Sequence, residues 1–169
     1  MMDRPLTVAV AGCGSRGLKT YAKILSGMSE KAVIVAAADL DPKKLAAMRE
    51  LTGIPESACY ASAEEMLDRP RLADVMLICT WDRCHYAHAR AALLKGYDLL
   101  LEKPIAPSER ECVELRDLAL ERGRRVVVPN QSEDFWCIHC PKEKPLAQEY
   151  KGYQKAFLKE YGTELHPEV

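Results

Sequence analysis

The chain has 169 residues, of which 48% are hydrophobic and 29% charged, with a formal net charge of −1. That length suits one ordinary domain with room for a sizeable core, and the balanced charge excludes a protein built to hold nucleic acid or an anionic membrane electrostatically. The opening run MMDRPLTVAVAGCG reaches its glycines too soon for a secretory leader or a membrane span, so the expectation is a cytoplasmic protein with no membrane partner.

In chain order, short β-branched runs alternate with stretches of helical spacing. LTVAVAG (6–12) predicts a strand, followed by a helix with Leu18, Tyr21, Leu25 and Met28 on its apolar face. AVIVAAAD (32–39) is the next strand. Asp41 then reads as an N-cap, Pro42 as a first-turn residue, and Gly53 as the C-terminal stop of a helix burying Leu45, Met48 and Leu51. Ser62 and Glu65 have capping-box spacing and open a short helix after a weak strand at 58–60.

DVMLICT (74–80) predicts a strand apolar on both faces, and a helix over 85–95 stops at Gly96. YDLLLE (97–102) is the fifth strand, Ser108 and Glu111 repeat the capping box, and Gly123 closes that helix before RRVVVP (124–129). Strands without a polar face, joined by helices, predict an α/β fold with a doubly wound, mostly parallel sheet covered on both faces. The rhythm stops at Pro129, which divides a domain at 1–129 from an atypical tail at 130–169. In that tail Leu146, Tyr150, Tyr153, Phe157 and Tyr161 suit one amphipathic helix.

The seven cysteines are odd in number, and Cys13, Cys59, Cys79 and Cys112 lie in or beside apolar segments, where a reduced thiol behaves as a small hydrophobe. No disulfide framework is expected. CIHC (137–140) has the spacing of half a zinc site or a redox pair, but no second pair follows at ligand spacing and His166 stands alone, so free thiols are the expectation and no metal is assigned.

AGCGSRG places Gly12, Gly14 and Gly17 as G-x-G-x-x-G between the first strand and the first helix. In that pattern the first glycine permits the tight turn, the second lets a pyrophosphate approach the backbone, and the third lets the helix pack on the sheet. Free N–H groups near Ser15 and Arg16 would hold the phosphates. Asp39 ends the second strand about 20 residues further on, where a carboxylate accepts from a ribose diol and repels a 2′-phosphate. NAD is therefore expected in preference to NADP. The competing reading makes the glycines mere turn residues and Asp39 a solvated strand end.

LLLEKPIA (99–106) ends the fifth strand on an acid, a base and a proline. With it, the ordered set AGCGSRG, AADLDP and CTWDRCHYAHARAALLKG resembles the Gfo/Idh/MocA oxidoreductases over residues 6 to about 128. The resemblance implies hydride transfer between a nicotinamide and a sugar, cyclitol or related hydroxyl substrate. It assigns Lys103, beside Glu102, to orient the reacting hydroxyl and stabilise charge on its oxygen. Thr80 and His85 match the family's T-P-x-x-x-H element under the dinucleotide, with Trp81 in place of its proline. His85 would bond either the cofactor or a loop carbonyl, and His88 reads as an ordinary helix-surface residue.

Family enzymes carry a second, substrate-binding domain, which 40 residues after Pro129 are too few to build. A gene fragment or altered frame, a stand-alone dinucleotide-binding or sensing module, and a subunit completed by another chain all remain open. In the last two cases surfaces left for a missing domain would favour homo-oligomers.

Overall fold

The structure, a computed structural model, describes residues 4–129 and the strand Trp136–Cys137. The tail helix expected after Pro145, the partners of Cys137 in CIHC, and His166 lie outside the described residues.

Strands β1 (Leu6–Ala11), β2 (Ala32–Ala38), β3 (Cys59–Tyr60), β4 (Val75–Ile78), β5 (Asp98–Leu101) and β6 (Val126–Val128) pair in parallel in the order β3-β2-β1-β4-β5-β6. Chain order reverses between β1 and β4. A doubly wound sheet opens a crevice beyond the carboxyl ends of its strands at that point. A two-residue strand, β7 (Trp136–Cys137), adds antiparallel to β6, so the sheet continues past Pro129, where the sequence rhythm had stopped.

The register aligns the chemistry. Ala38, Ala11, Ile78 and Leu101 form one row across the sheet, with Ala11 paired to both Ala38 and Ile78, and Ile78 paired to Leu101. The next residue on each chain is Asp39, Gly12, Cys79 or Glu102, and the backbone continues the ladder there: Gly12 N–H donates to Ala38 O, Cys79 N–H to Ala11 O, and Glu102 N–H to Ile78 O. Residues as far apart in the chain as Gly12 and Glu102 emerge on one edge because parallel strands all point the same way.

Alternate strand residues feed two cores, one on each sheet face. Ala9, Ala11, Met76, Ile78, Leu99 and Leu101 join one, while Val8, Val10, Ile34 and Leu77 join the other. Helix α2 (Pro42–Thr52) starts on the Asp41 carboxylate, which accepts from Lys43 N–H, and stops at Gly53 with φ of 74°. Helix α5 (Glu109–Glu121) carries the full Ser108/Glu111 capping box. At α3 (Ala63–Asp68) only half of the box forms: Ser62 Oγ accepts from Glu65 N–H, but the Glu65 carboxylate reaches Ala61 N–H instead.

The first helix departs most from expectation. Its opening, Ser15–Ala22, is a π-helix, and only Lys23–Ser26 (α1) is α-helical. In an α-helix residues five apart stand about 140° apart around the axis, whereas the i→i+5 bonding of a π-helix brings them back to nearly one face. Arg16 and Tyr21 consequently stack, with the guanidinium 5.2 Å from the ring centre. No helix among the described residues is long and apolar enough to cross a membrane.

Candidate functional site

The glycine turn is shaped by two different demands. A Cβ on Gly12, whose φ is +93°, would stand 2.4 Å from Cys79 O, and one on Gly17 would stand 1.9 Å from Gly12 O. Both are excluded by the protein's own backbone. A Cβ on Gly14 would meet no heavy atom within 4 Å. The protein leaves open space over Gly14, directly at the start of the π-helix, where no side chain caps the chain. Such a cradle suits an anion approaching the helix start at Ser15, and it is the feature that fits a dinucleotide's diphosphate.

Asp39 is anchored, and the alternative of a solvated strand end does not describe it: its side chain is 10% exposed. One oxygen accepts from Cys13 N–H at 2.7 Å and the other from Asp41 N–H at 2.9 Å, which ties the glycine turn to the end of β2. Each carboxylate oxygen retains a lone pair for a further donor. The Lys44 ammonium lies 3.8 Å away. Burial, reinforced by the Asp39 charge, pushes the neighbouring Cys13 thiol up to about 12, so it is an inert packing group at neutral pH.

On the other side of the turn lies a cavity of about 320 Å³ lined by Arg16, Cys79, Thr80, Asp82, His85, Glu102, Lys103 and Pro129. The end of β5 thus delivers both charged residues of LLLEKPIA to one wall. Glu102 is buried, and its Oε1 accepts from Arg16 Nε at 2.8 Å and from the Tyr21 hydroxyl at 2.5 Å. The Arg16 side chain is therefore committed to Glu102, although it stays 45% exposed, while the expectation for its backbone N–H at the helix start is separate. Burial and the Glu102 carboxylate both hold the Tyr21 hydroxyl well above its ordinary range, so it remains a proton donor to Glu102. The Lys103 backbone N–H faces Glu102 Oε2 at 3.3 Å, and the Lys103–Pro104 peptide is cis.

His85 is 1% exposed and clips two loops together. Its Nδ1 faces Pro104 O at 2.6 Å and its Nε2 faces Thr80 O at 3.1 Å. Both partners are acceptors, so a neutral ring serves one of them at a time. Of the two roles open to His85, the structure displays the contact with a loop carbonyl, available at either ring nitrogen. Trp81 is 73% exposed and is not among the residues lining the cavity.

His88 corrects the expectation of a surface residue. It is 5% exposed, and its ring bridges Thr80 Oγ1 and Glu64. Tyr21 likewise was legible only as an apolar helix position, because its polar role depends on π-helical winding that no periodicity reveals. Among the described residues there is no group of three or more His, Cys, Asp or Glu that would hold a metal ion.

A doubly wound sheet in the 3-2-1-4-5-6 order, with an open glycine cradle at a helix start and an anchored acid beside it, is a dinucleotide-binding domain of the Rossmann class. A family model describing oxidoreductases with an NAD-binding Rossmann fold, GFO_IDH_MocA, matches residues 6–130, and the chain belongs to that family.

Its similarity to curated proteins includes inositol 2-dehydrogenase of Klebsiella pneumoniae strain 342. The two are 28% identical over 122 residues, which is 72% of this chain and 35% of that enzyme. A 1-carboxy-3-chloro-3,4-dihydroxycyclohexa-1,5-diene dehydrogenase of Comamonas testosteroni is 28% identical over 123 residues, 73% of this chain and 30% of that protein. Among solved structures, the WlbA dehydrogenase of Chromobacterium violaceum, in complex with NADH and UDP-GlcNAcA, superposes with a TM-score of 0.69 at 25% identity. That match covers 76% of this chain and 36% of the other. The chain thus spans about a third of the length of these relatives.

Proposed function

We propose that this chain is the NAD-binding part of an oxidoreductase acting on a sugar, cyclitol or related hydroxyl compound, with the substrate contacts completed by a second domain or chain. The carrying observation is the shared row that sets the glycine turn, Asp39 and Glu102–Lys103 on one sheet edge, with open space over Gly14 between them. When bound, the nicotinamide supplies a hydride acceptor or donor. The chain's own residues bind and orient around it.

The N–H groups at Ser15 to Gly17 would hold the diphosphate above Gly12 and Gly14, and the free lone pairs of Asp39 would accept from the adenosine ribose hydroxyls. Asp39 carries a fixed negative charge, which disfavours a 2′-phosphate there. Lys103, in the wall of the cavity, would orient the reacting hydroxyl and stabilise negative charge developing on its oxygen. Thr80 and His85 belong to that wall, and the exposed Trp81, next in the chain to Thr80, would offer a face for the nicotinamide ribose or the pyrophosphate. The similarity to inositol 2-dehydrogenase supports a polyhydroxylated substrate.

Thermal unfolding in the presence of NAD, NADH and NADP tests the reading. A ligand that binds only the folded state raises stability by RT ln(1 + [L]/Kd). NAD and NADH at millimolar concentration are expected to raise the midpoint, and NADP to do so less. Asp39→Asn is expected to narrow that difference. An unchanged midpoint with all three ligands rejects the proposal.

A further inference from the structure

Thr80 stands in the cavity wall, but what its hydroxyl offers a ligand is decided by two residues outside the cavity. Thr80 Oγ1 lies 3.0 Å from Nδ1 of His88, and Nε2 of the same ring lies 2.9 Å from Oε1 of Glu64. His88 belongs to α4 (His85–Leu94) and is buried, whereas Glu64, in the first turn of α3, keeps 68% of its side chain in solvent. The contact with His88 holds the Glu64 carboxyl below its usual range, so it is ionised at neutral pH and can only accept.

For a neutral His88 ring, donor and acceptor counting then fixes the row. Glu64 requires the proton on His88 Nε2, and a neutral imidazole protonated there has only a lone pair at Nδ1. The Thr80 hydroxyl must donate into that lone pair. It has one proton, and with that proton committed its oxygen can only accept from anything else.

We infer that His88, held by Glu64, is a positioning residue that fixes Thr80 as a hydrogen-bond acceptor, selecting a neutral N–H donor in the cavity, namely the carboxamide NH2 of nicotinamide. The basic side chains of Arg16 and Lys103 in the same wall disfavour a cationic donor there and leave a neutral one as the better fit. The ligand assignment rests on the dinucleotide reading above. The Glu64–His88–Thr80 row does not.

Two measurements on the 169-residue chain separate them. Heteronuclear NMR of the imidazole nitrogens in the ligand-free chain reads the His88 protonation at neutral pH: Nε2–H with a bare Nδ1 is expected, and a proton on Nδ1, whether alone or in a doubly protonated ring, overturns the row. Binding is then compared for NADH and for ADP-ribose, which lacks the nicotinamide. His88→Leu is expected to weaken NADH about five- to tenfold, the loss of one hydrogen bond, while leaving ADP-ribose unchanged. His88→Asn, which restores an acceptor carbonyl at the Nδ1 position, is expected to recover most of the loss. Thr80→Val should cost as much as His88→Leu, and the double variant no more than either.

Equal weakening of both ligands by His88→Leu, or of neither, overturns the positioning role; retained ADP-ribose binding also certifies that the variant is folded. A wild-type chain that binds neither ligand overturns the dinucleotide reading and the carboxamide assignment with it, while the tautomer still decides the row.

Discussion

Gly12, Gly14 and Gly17 are one residue type doing separate physical jobs within six positions. At Gly12 and Gly17 the absent side chain makes room for the protein itself, since a Cβ would overlap Cys79 O in one case and Gly12 O in the other. At Gly14 it makes room for something else. Gly12→Ala and Gly17→Ala are each expected to cost several kcal/mol or to prevent folding, because rigid backbone on one side leaves nowhere to move. Gly14→Ala should melt within a few degrees of wild type and yet bind NADH at least about tenfold more weakly. Calorimetry and a fluorescence titration distinguish these outcomes, and full NADH affinity in Gly14→Ala would remove the cradle from the argument. The pattern was legible in the sequence; which glycine serves the ligand was not, because that depends on what stands opposite each one in space.

Single carboxylates fasten whole elements together at both ends of the sheet. At the carboxyl edge Glu102 joins β5 to the π-helix through Arg16 and Tyr21. At the opposite edge Asp74, just before β4, accepts from Thr7 N–H and Thr7 Oγ1 in β1 and from both terminal nitrogens of Arg4. The Arg4 guanidinium, followed by the Thr7 donors, holds the Asp74 carboxyl well below the usual carboxylate range. A depressed pKa stabilises the fold above the unfolded value of about 3.9 and loses that contribution as pH falls toward the folded value. Asp74→Asn is therefore expected to lower stability at pH 7 by about 1–2 kcal/mol. Most of this comes from the Thr7 bonds, because solvent screens the exposed Arg4. It should also flatten the fall in stability between about pH 5 and pH 2. Denaturant unfolding across that range checks both, and a variant with the wild-type pH profile would show that other groups carry the acid sensitivity.

On the proposed reading the dinucleotide lies against the cavity lined by Arg16, Thr80, Glu102 and Lys103, and a second domain or chain completes the substrate contacts. The relatives it resembles are about twice as long, and its match spans about a third of them. The expected behaviour of the 169-residue chain is thus stabilisation by NADH without reduction of NAD by polyols. Turnover should appear only when a substrate domain is joined to it or added in trans, and should be lost again in Lys103→Ala while NADH affinity persists. Turnover by the isolated chain, followed as NADH absorbance, would show that the substrate contacts are already present.

The order of strands and helices, the stops at Gly53, Gly96 and Gly123, and the emergence of Asp39 and Glu102–Lys103 at strand ends were written locally, in runs of β-branched residues, caps and turn-formers. Parallel pairing then left little freedom, because every strand must deliver its carboxyl end to the same edge. What only the tertiary structure decided were the partners of polar groups: Arg16 on Glu102, Tyr21 beside it through π-helical winding, His85 between two carbonyls, and His88 inside rather than at the surface. A hydrophobic period records which face is buried. It is silent about hydrogen bonds between segments far apart in the chain, since those exist only once packing has excluded water and each donor must find its acceptor within the fold.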